Sequence, residues 1–302
     1  MRGRPGSALP ILAVLAAGAI GASSGLYIKG LAFSSLAMTS LRMTVPFLLA
    51  LPSAARHGLL LGKPGMRGRL FAASALNAFR LFLYVLAYKL TTIGNAVVLL
   101  YLWPVFALGI DAVRFRKPLS LTKLGVLALA TGGVALMNAH RGIGVGQGGF
   151  SAQDLWGSAA MILSAFVFAG TNIMFKEAVS VMSEVDTVYF HNAVGGILFL
   201  PFLLSEVSSA PLSHLGIGVI YGAVVGLVGF GLFFVGMKRL PMFQYSALSY
   251  GEVPVGLLFG ILFASETLVW NQAAGVALII AGSFLAQRLR SEPAGPLRRE
   301  SD

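Results

Sequence analysis

Asn77, Arg80, Tyr84 and Tyr88 recur at three- and four-residue intervals within one apolar run, which puts all four on a single face of a helix. A guanidinium on such a face can grip a carboxylate through two parallel charge-assisted hydrogen bonds, and the amide and phenols beside it add donors and acceptors. A second cluster, Tyr245, Ser246, Ser249, Tyr250, Glu252 and Pro254, falls within a ten-residue stretch far along the chain. Glu252 is a carboxylate among apolar neighbours, able to carry a proton or to hold an ammonium group. Each charge also has a structural reading, Arg80 as the partner of Glu252 or of backbone carbonyls, and Glu252 as an inter-helix hydrogen bond or ion pair. Tyr101 and Trp103, Phe168 with Asn172, and Phe230 add aromatic faces and an amide that could meet the same small amphipathic solute or bond neighbouring helices.

Bond-making chemistry finds little support. No group of His, Asp and Glu has metal-ligand spacing, and no Ser-His-acid set falls within reach of one helix face. Cysteine is absent, which removes disulfides and thiolate reactions, and no cofactor is called for. The stretch from Gly142 to Gly149 loosely satisfies a Gly-x-Gly-x-x-Gly pattern, but no strand precedes it and no Lys-Ser or Lys-Thr pair follows, so it reads as a flexible connection.

The elements that position these side chains are set by composition. Of 302 residues, 57% are hydrophobic and only 11% charged, and the mean hydropathy is +0.83. A water-soluble surface needs about a quarter charged residues, so this chain is expected to lie in a bilayer. The formal charge of +11 does not point to nucleic acid, because the basic residues sit mostly in short loops between apolar segments, without interleaved base-stacking aromatics. Ten segments of membrane-spanning length are expected near 9–28, 34–52, 69–89, 95–113, 121–138, 155–176, 186–204, 215–236, 243–263 and 270–287. The 37 glycines and 13 prolines suit membrane helices, where small residues allow close approach and neighbours satisfy the carbonyls that proline frees.

The segments repeat. At one constant offset Leu90 falls on Leu240, Pro104 on Pro254, Val105 on Val255, Gly125 on Gly275, Val126 on Val276 and Gly132 on Gly282. If the N-terminus is cytoplasmic, only Lys29, Lys89 and Arg141 of the 22 basic residues lie outside; Arg42 and Arg80 are in the membrane and all others are inside. That bias places both termini in the cytoplasm. With five segments per half, the second half then runs upside down relative to the first. The expected organisation is an all-α membrane protein of ten transmembrane helices in two inverted five-helix repeats, 9–138 and 155–287, joined by an external Gly-rich linker at 139–154 and followed by a cytoplasmic tail at 288–302. Arg2 and Arg4 before an apolar stretch also resemble a secretory signal peptide, but removing it would break the five-plus-five count.

The walls of the two halves differ in chemistry. The repeat partners of Asn77, Arg80, Tyr84 and Tyr88 are Leu227, Phe230, Phe234 and Lys238, while Glu252 mirrors Leu102, which sits between Tyr101 and Trp103. Arg42 and His191 occupy equivalent places in the second and seventh segments and read as braces or parts of a gate rather than as substrate contacts. Trp156 and Trp270, at segment ends, read as interface anchors.

Two five-helix halves, Pro104 and Pro254 in the fourth helix of each, Arg42 in the second helix, and the run Phe263-Ala264-Ser265-Glu266-Thr267-Leu268 followed by Gly275-Val276-Ala277-Leu278-Ile279-Ile280-Ala281-Gly282 together resemble the EamA family of the drug/metabolite transporter superfamily over about residues 9 to 287. Within it the chain is most similar to the YddG-like exporters of aromatic amino acids. One departure is Arg116-Lys117-Pro118-Leu119, where the family usually has a Gly-Glu-Arg-Leu type turn. The resemblance implies a cavity of alternating access lined by helices 1, 3, 4, 6, 8 and 9, with helices 5 and 10 packed at the periphery. It also implies a secondary carrier in the cytoplasmic (inner) membrane of a bacterium that exports aromatic or other amphipathic amino acids or related metabolites. Its partners would be the solute, the bilayer and, as a candidate coupling ion, the proton, with no ATPase subunit and no nucleic acid. A proton-coupled exporter of drugs or other cations competes with this reading, and a bilayer-embedded enzyme or sensor stands as the alternative class.

Overall fold

The computed structural model describes residues 8–114, 120–138, 151–255, 258 and 270–289, and every regular element among them is a helix. In chain order these are α1 (Leu9–Ala22), α2 (Ser24–Gly30), α3 (Ser35–Arg56), α4 (Arg67–Leu90), α5 (Ile93–Leu100), α6 (Trp103–Arg114), α7 (Leu121–Asn138), α8 (Ala152–Val181), α9 (Glu184–Leu198), α10 (Leu200–Val207) and α11 (Leu212–Tyr221). A π-helix (Gly222–Gly229) then leads into α12 (Phe230–Arg239), followed by α13 (Met242–Ser249) and α14 (Trp270–Arg288). The linker at 139–150, the motifs Arg116 to Leu119 and Phe263 to Leu268, most of the ninth segment beyond Val255, and the tail beyond Leu289 lie outside the described residues.

Long apolar runs become helices because a helix satisfies its backbone groups internally, which hydrocarbon requires. Their starts are fixed by side-chain caps. Ser34, Thr92, Ser151 and Ser183 each accept a hydrogen bond from a backbone N–H in the first turn of α3, α5, α8 and α9, and Ser151 with Asp154 forms a reciprocal capping box. Among the described residues six stretches are long and apolar enough to cross a membrane: Leu9–Gly30, Ser35–Arg56, Arg67–Leu90, Asn95–Arg114, Ala152–Val181 and Leu212–Arg239. A seventh arises if α9 and α10, bent by 59° across Phe199 with Pro201 just beyond it, are taken as one span. Leu121–Leu136 and Trp270–Ala286 are apolar but shorter.

The exterior is apolar and the interior partly polar, the reverse of a soluble protein. Leu12, Leu26, Leu48 and Leu212 are exposed, as are Trp156 and Trp270, whereas Arg42, Asn77, Arg80, Asn172 and His191 are buried. α3 packs on α9, α4 on α8, and α1 on α12 and the π-helix, building one core that runs through both halves. α7 and α14 pack on each other and, with Tyr101, Ala247 and Tyr250, form a smaller second core.

Polar contacts gather at the two ends of the bundle. At one end the Lys29 ammonium donates to the Thr91 carbonyl at 3.0 Å, the Thr91 hydroxyl donates to Asp154 at 3.1 Å, and the Glu206 carboxylate accepts the Ser34 N–H at 2.9 Å. At the other, Asp186 accepts from the Ser53 hydroxyl at 2.7 Å and meets His57 Nδ1 at 2.9 Å, Lys238 reaches the Met182 carbonyl at 3.0 Å and Glu184 at 3.4 Å, and Arg114 pairs with Glu177. Lys29 and Lys89 thus belong to one end, and Arg56, Arg114, Lys238 and Arg239 to the other.

Candidate functional site

Two of the stretches that carry candidate site residues are broken helices, and the breaks face each other. Helix α5 stops at Leu100, Tyr101 and Leu102 form a turn, and α6 begins at Trp103. Likewise α13 stops at Ser249, Tyr250 and Gly251 turn, and the chain is helical again over 252–255. A break in a membrane helix exposes backbone groups that need partners. Here each half serves the other: the Tyr101 hydroxyl donates to the Ser249 carbonyl at 3.3 Å, and the Tyr250 hydroxyl donates to the Tyr101 carbonyl at 2.9 Å. The two rings stack with centroids 5.1 Å apart. Pro254 suggests a free carbonyl at Tyr250, but that oxygen accepts the Val253 N–H at 3.1 Å. The chain tightens by one residue there instead of leaving an acceptor open.

Beside the crossing lies a cavity of about 80 Å³. Of the residues singled out by type and spacing, Arg80, Tyr84, Tyr101, Trp103, Phe168, Phe230, Ser249 and Glu252 line it. Asn77, Asn172, Tyr245, Ser246 and Tyr250 lie behind this lining. Asn77 holds the arginine: its side-chain oxygen accepts from Arg80 Nε at 2.9 Å while its amide donates to the His191 carbonyl at 2.7 Å. Tyr245 is wedged between Phe233 and Trp103, with ring centroids 4.7 and 6.1 Å away. The Ser246 and Ser249 hydroxyls fold back onto carbonyls of their own helix, and Tyr250 serves the crossing and Thr131. Asn172 is buried, and its amide nitrogen has no hydrogen-bond partner among the described residues.

Two features go beyond what residue spacing suggests. Arg42, expected as a brace, lines the cavity together with Arg80, and Ser24, Gly18 and Gly21 bring α1 and α2 into its wall. The glycines leave room for the acid: a methyl group on Gly21 would come within 2.9 Å of Glu252 Oε1, and one on Gly18 within 3.1 Å of the Glu252 backbone. His191 remains close behind, its ring against Phe230 at 4.4 Å and Phe175 at 5.1 Å. The small residues near Glu252 are visible in the sequence, but pairing them with it requires a contact between distant segments.

The electrostatics of the cavity are incompletely balanced. Arg80 is 3% exposed and Arg42 2%. The Arg80 guanidinium lies 4.4 Å from the Phe168 ring centroid, and that of Arg42 lies 4.9 Å from Phe230. A ring face returns about 0.5 to 2 kcal/mol. Placing an arginine at the centre of a bilayer costs about 2.5 to 3.5 kcal/mol even on lenient scales, so the rings leave part of that cost unmet. Among the described residues Arg80 Nη2 and Arg42 Nη1 have no hydrogen-bond partner, and neither arginine forms an ion pair with Glu252. The Glu252 carboxyl instead lies against Gly21 of α1. The structure therefore keeps two cations and an acid on separate parts of one wall system, each with capacity to spare, and surrounds them with aromatic rings. His, Asp and Glu nowhere gather as a metal site among the described residues.

Comparison with known proteins places this architecture. The profile of the EamA-like transporter family matches residues 8–139 and again 155–287. The chain belongs to the EamA-like transporter family. An uncharacterised transporter of Archaeoglobus fulgidus is 26% identical over 286 residues, covering 94% of this chain and 97% of that one. The pseudopaline exporter CntI of Pseudomonas aeruginosa is 26% identical over 108 residues, 35% of this chain and 37% of its own. A solved crystal structure shares the fold with a TM-score of 0.69 at 18% sequence identity, covering 92% of this chain and 96% of that one. The EamA-like chain is a multi-pass membrane protein whose function is transport.

Proposed function

We propose that this EamA-like protein is a secondary carrier that exports amphipathic amino acids, aromatic ones above all, or related small metabolites across the cytoplasmic membrane of a bacterium. The observation that carries the reading is the Arg80 guanidinium, buried on the cavity wall with Nη2 unpartnered and Nε held by Asn77. Such a group is preorganised for a carboxylate. Tyr84, Tyr101, Trp103, Phe168 and Phe230 offer surfaces for an aromatic or aliphatic side chain, and Glu252 an acceptor for an ammonium group. The partial match to a pseudopaline exporter favours the outward direction. A carrier in vesicles preloaded with unlabelled phenylalanine should take up labelled phenylalanine by counterflow and ignore a monocationic dye. Preference for the dye would favour the competing reading, a proton-coupled cation exporter built on Glu252 alone.

The proposed mechanism is alternating access between two inverted five-helix repeats, 9–138 and 155–287, with ten spans and both termini cytoplasmic. It is supported by the residue repeat, by the packing of equivalent helices on each other (α3 on α9, α7 on α14), and by the segregation of Lys29 and Lys89 from the other basic ends. Cysteine introduced at Gln147 should react with an impermeant thiol reagent added to intact cells, and cysteine at Pro64 should not. The reverse labelling pattern would rule out this topology.

A further inference from the structure

We propose that the cavity is built for a solute with two carboxylates flanking an ammonium group, Arg42 holding one carboxylate and Arg80 the other. This deepens the transport reading above and rests on it. Both guanidiniums are nearly inaccessible, at 2% and 3% exposure, and both line the same cavity. Each has a buried nitrogen without a partner, Nη1 on Arg42 and Nη2 on Arg80. They come from α3 and α4, which pack on each other, and reach the same cavity wall. Two like charges held together in a low-dielectric site are unfavourable unless an anion sits with them. Among the described residues no carboxylate takes that place, since Glu252 pairs with neither.

A monocarboxylate could satisfy one fork and would leave the second guanidinium against ring faces only. Gly226 of the π-helix makes room for the Arg42 guanidinium, since a methyl group there would stand 2.7 Å from Nη1. With two cations and one acid on its walls, the cavity is complementary to a solute with two negative charges and one positive. Arg42 thereby becomes a specificity-determining residue: Arg80 selects for an acid, and Arg42 for a second one.

Counterflow of labelled L-phenylalanine in vesicles containing the full-length protein provides the test, with three unlabelled competitors: L-phenylalanine, N-methyl-L-phenylalanine and N-(carboxymethyl)-L-phenylalanine. The N-methyl compound controls for substitution on nitrogen. In the wild type the carboxymethyl compound should compete at a concentration about tenfold lower than the other two, the gain of one charge-assisted contact. Arg42→Gln should weaken competition by the carboxymethyl compound about tenfold more than competition by phenylalanine, whereas Arg80→Gln should weaken all three. Equal competition by all three compounds in the wild type would overturn the two-carboxylate proposal while leaving amino acid transport intact. Absence of phenylalanine counterflow, with no competition for binding to the purified protein by any of the three, would remove the transport reading and this proposal together. The wild-type comparison decides the matter even if Arg42→Gln fails to fold.

Discussion

Arg80→Ala is expected to lower the affinity for a carboxylate-bearing substrate about 10- to 100-fold, because a charge-assisted hydrogen bond to a charged group contributes about 1.5 to 3 kcal/mol. The amount of folded protein should fall far less. Among the described residues the Arg80 side chain makes a single hydrogen bond, from Nε to Asn77, and leaves Nη2 unpartnered. Removing it therefore breaks one internal contact and takes one of two cations off the cavity wall. Asn77 would keep its bond to the His191 carbonyl and so hold α4 against α9. The measurement is substrate binding to purified protein alongside its size-exclusion yield. Wild-type affinity in a well-folded Arg80→Ala protein would mean that the guanidinium does not touch the substrate.

Glu252→Gln separates three roles for the acid. The amide keeps the shape of the side chain and a capacity for hydrogen bonding but cannot ionise. Tyr84 and Tyr101 line the cavity with it, and both are phenols, which do not take over a proton near neutrality. If Glu252 carries a coupling proton, the mutant should exchange substrate at equilibrium in vesicles yet no longer respond to an imposed pH gradient. If it binds the ammonium group, exchange itself should collapse by about tenfold or more. Wild-type exchange together with a wild-type pH response would reduce Glu252 to a packing partner of Gly18 and Gly21.

Helix positions are legible in this sequence because hydrocarbon imposes a single rule on long apolar runs, and six described stretches are long and apolar enough to span, whereas α9–α10 is bent and α7 and α14 are shorter. The polar face of α4 is legible for the same reason, since Asn77, Arg80 and Tyr84 share a helical period. What periodicity does not encode is the partner. Pro254 marks a kink but not its location: the chain breaks at Tyr250 and Gly251, where Tyr101 from the other half caps the exposed backbone. Arg42 has the look of a brace when only its own helix is considered. It stands on the cavity wall with its guanidinium against Gly226 of the π-helix, a contact between distant segments that spacing within one helix does not reveal.

The exchanged tyrosines have a consequence for how the protein is made. A chain synthesised from its N-terminus delivers Tyr101 to the bilayer well before Tyr250 exists, so the Tyr101 carbonyl enters without the hydroxyl that will later meet it. The broken helix of the first half is completed only once the second half brings its own break alongside, and until then the Tyr101 and Ser249 carbonyls lack the tyrosine hydroxyls that meet them in the folded protein.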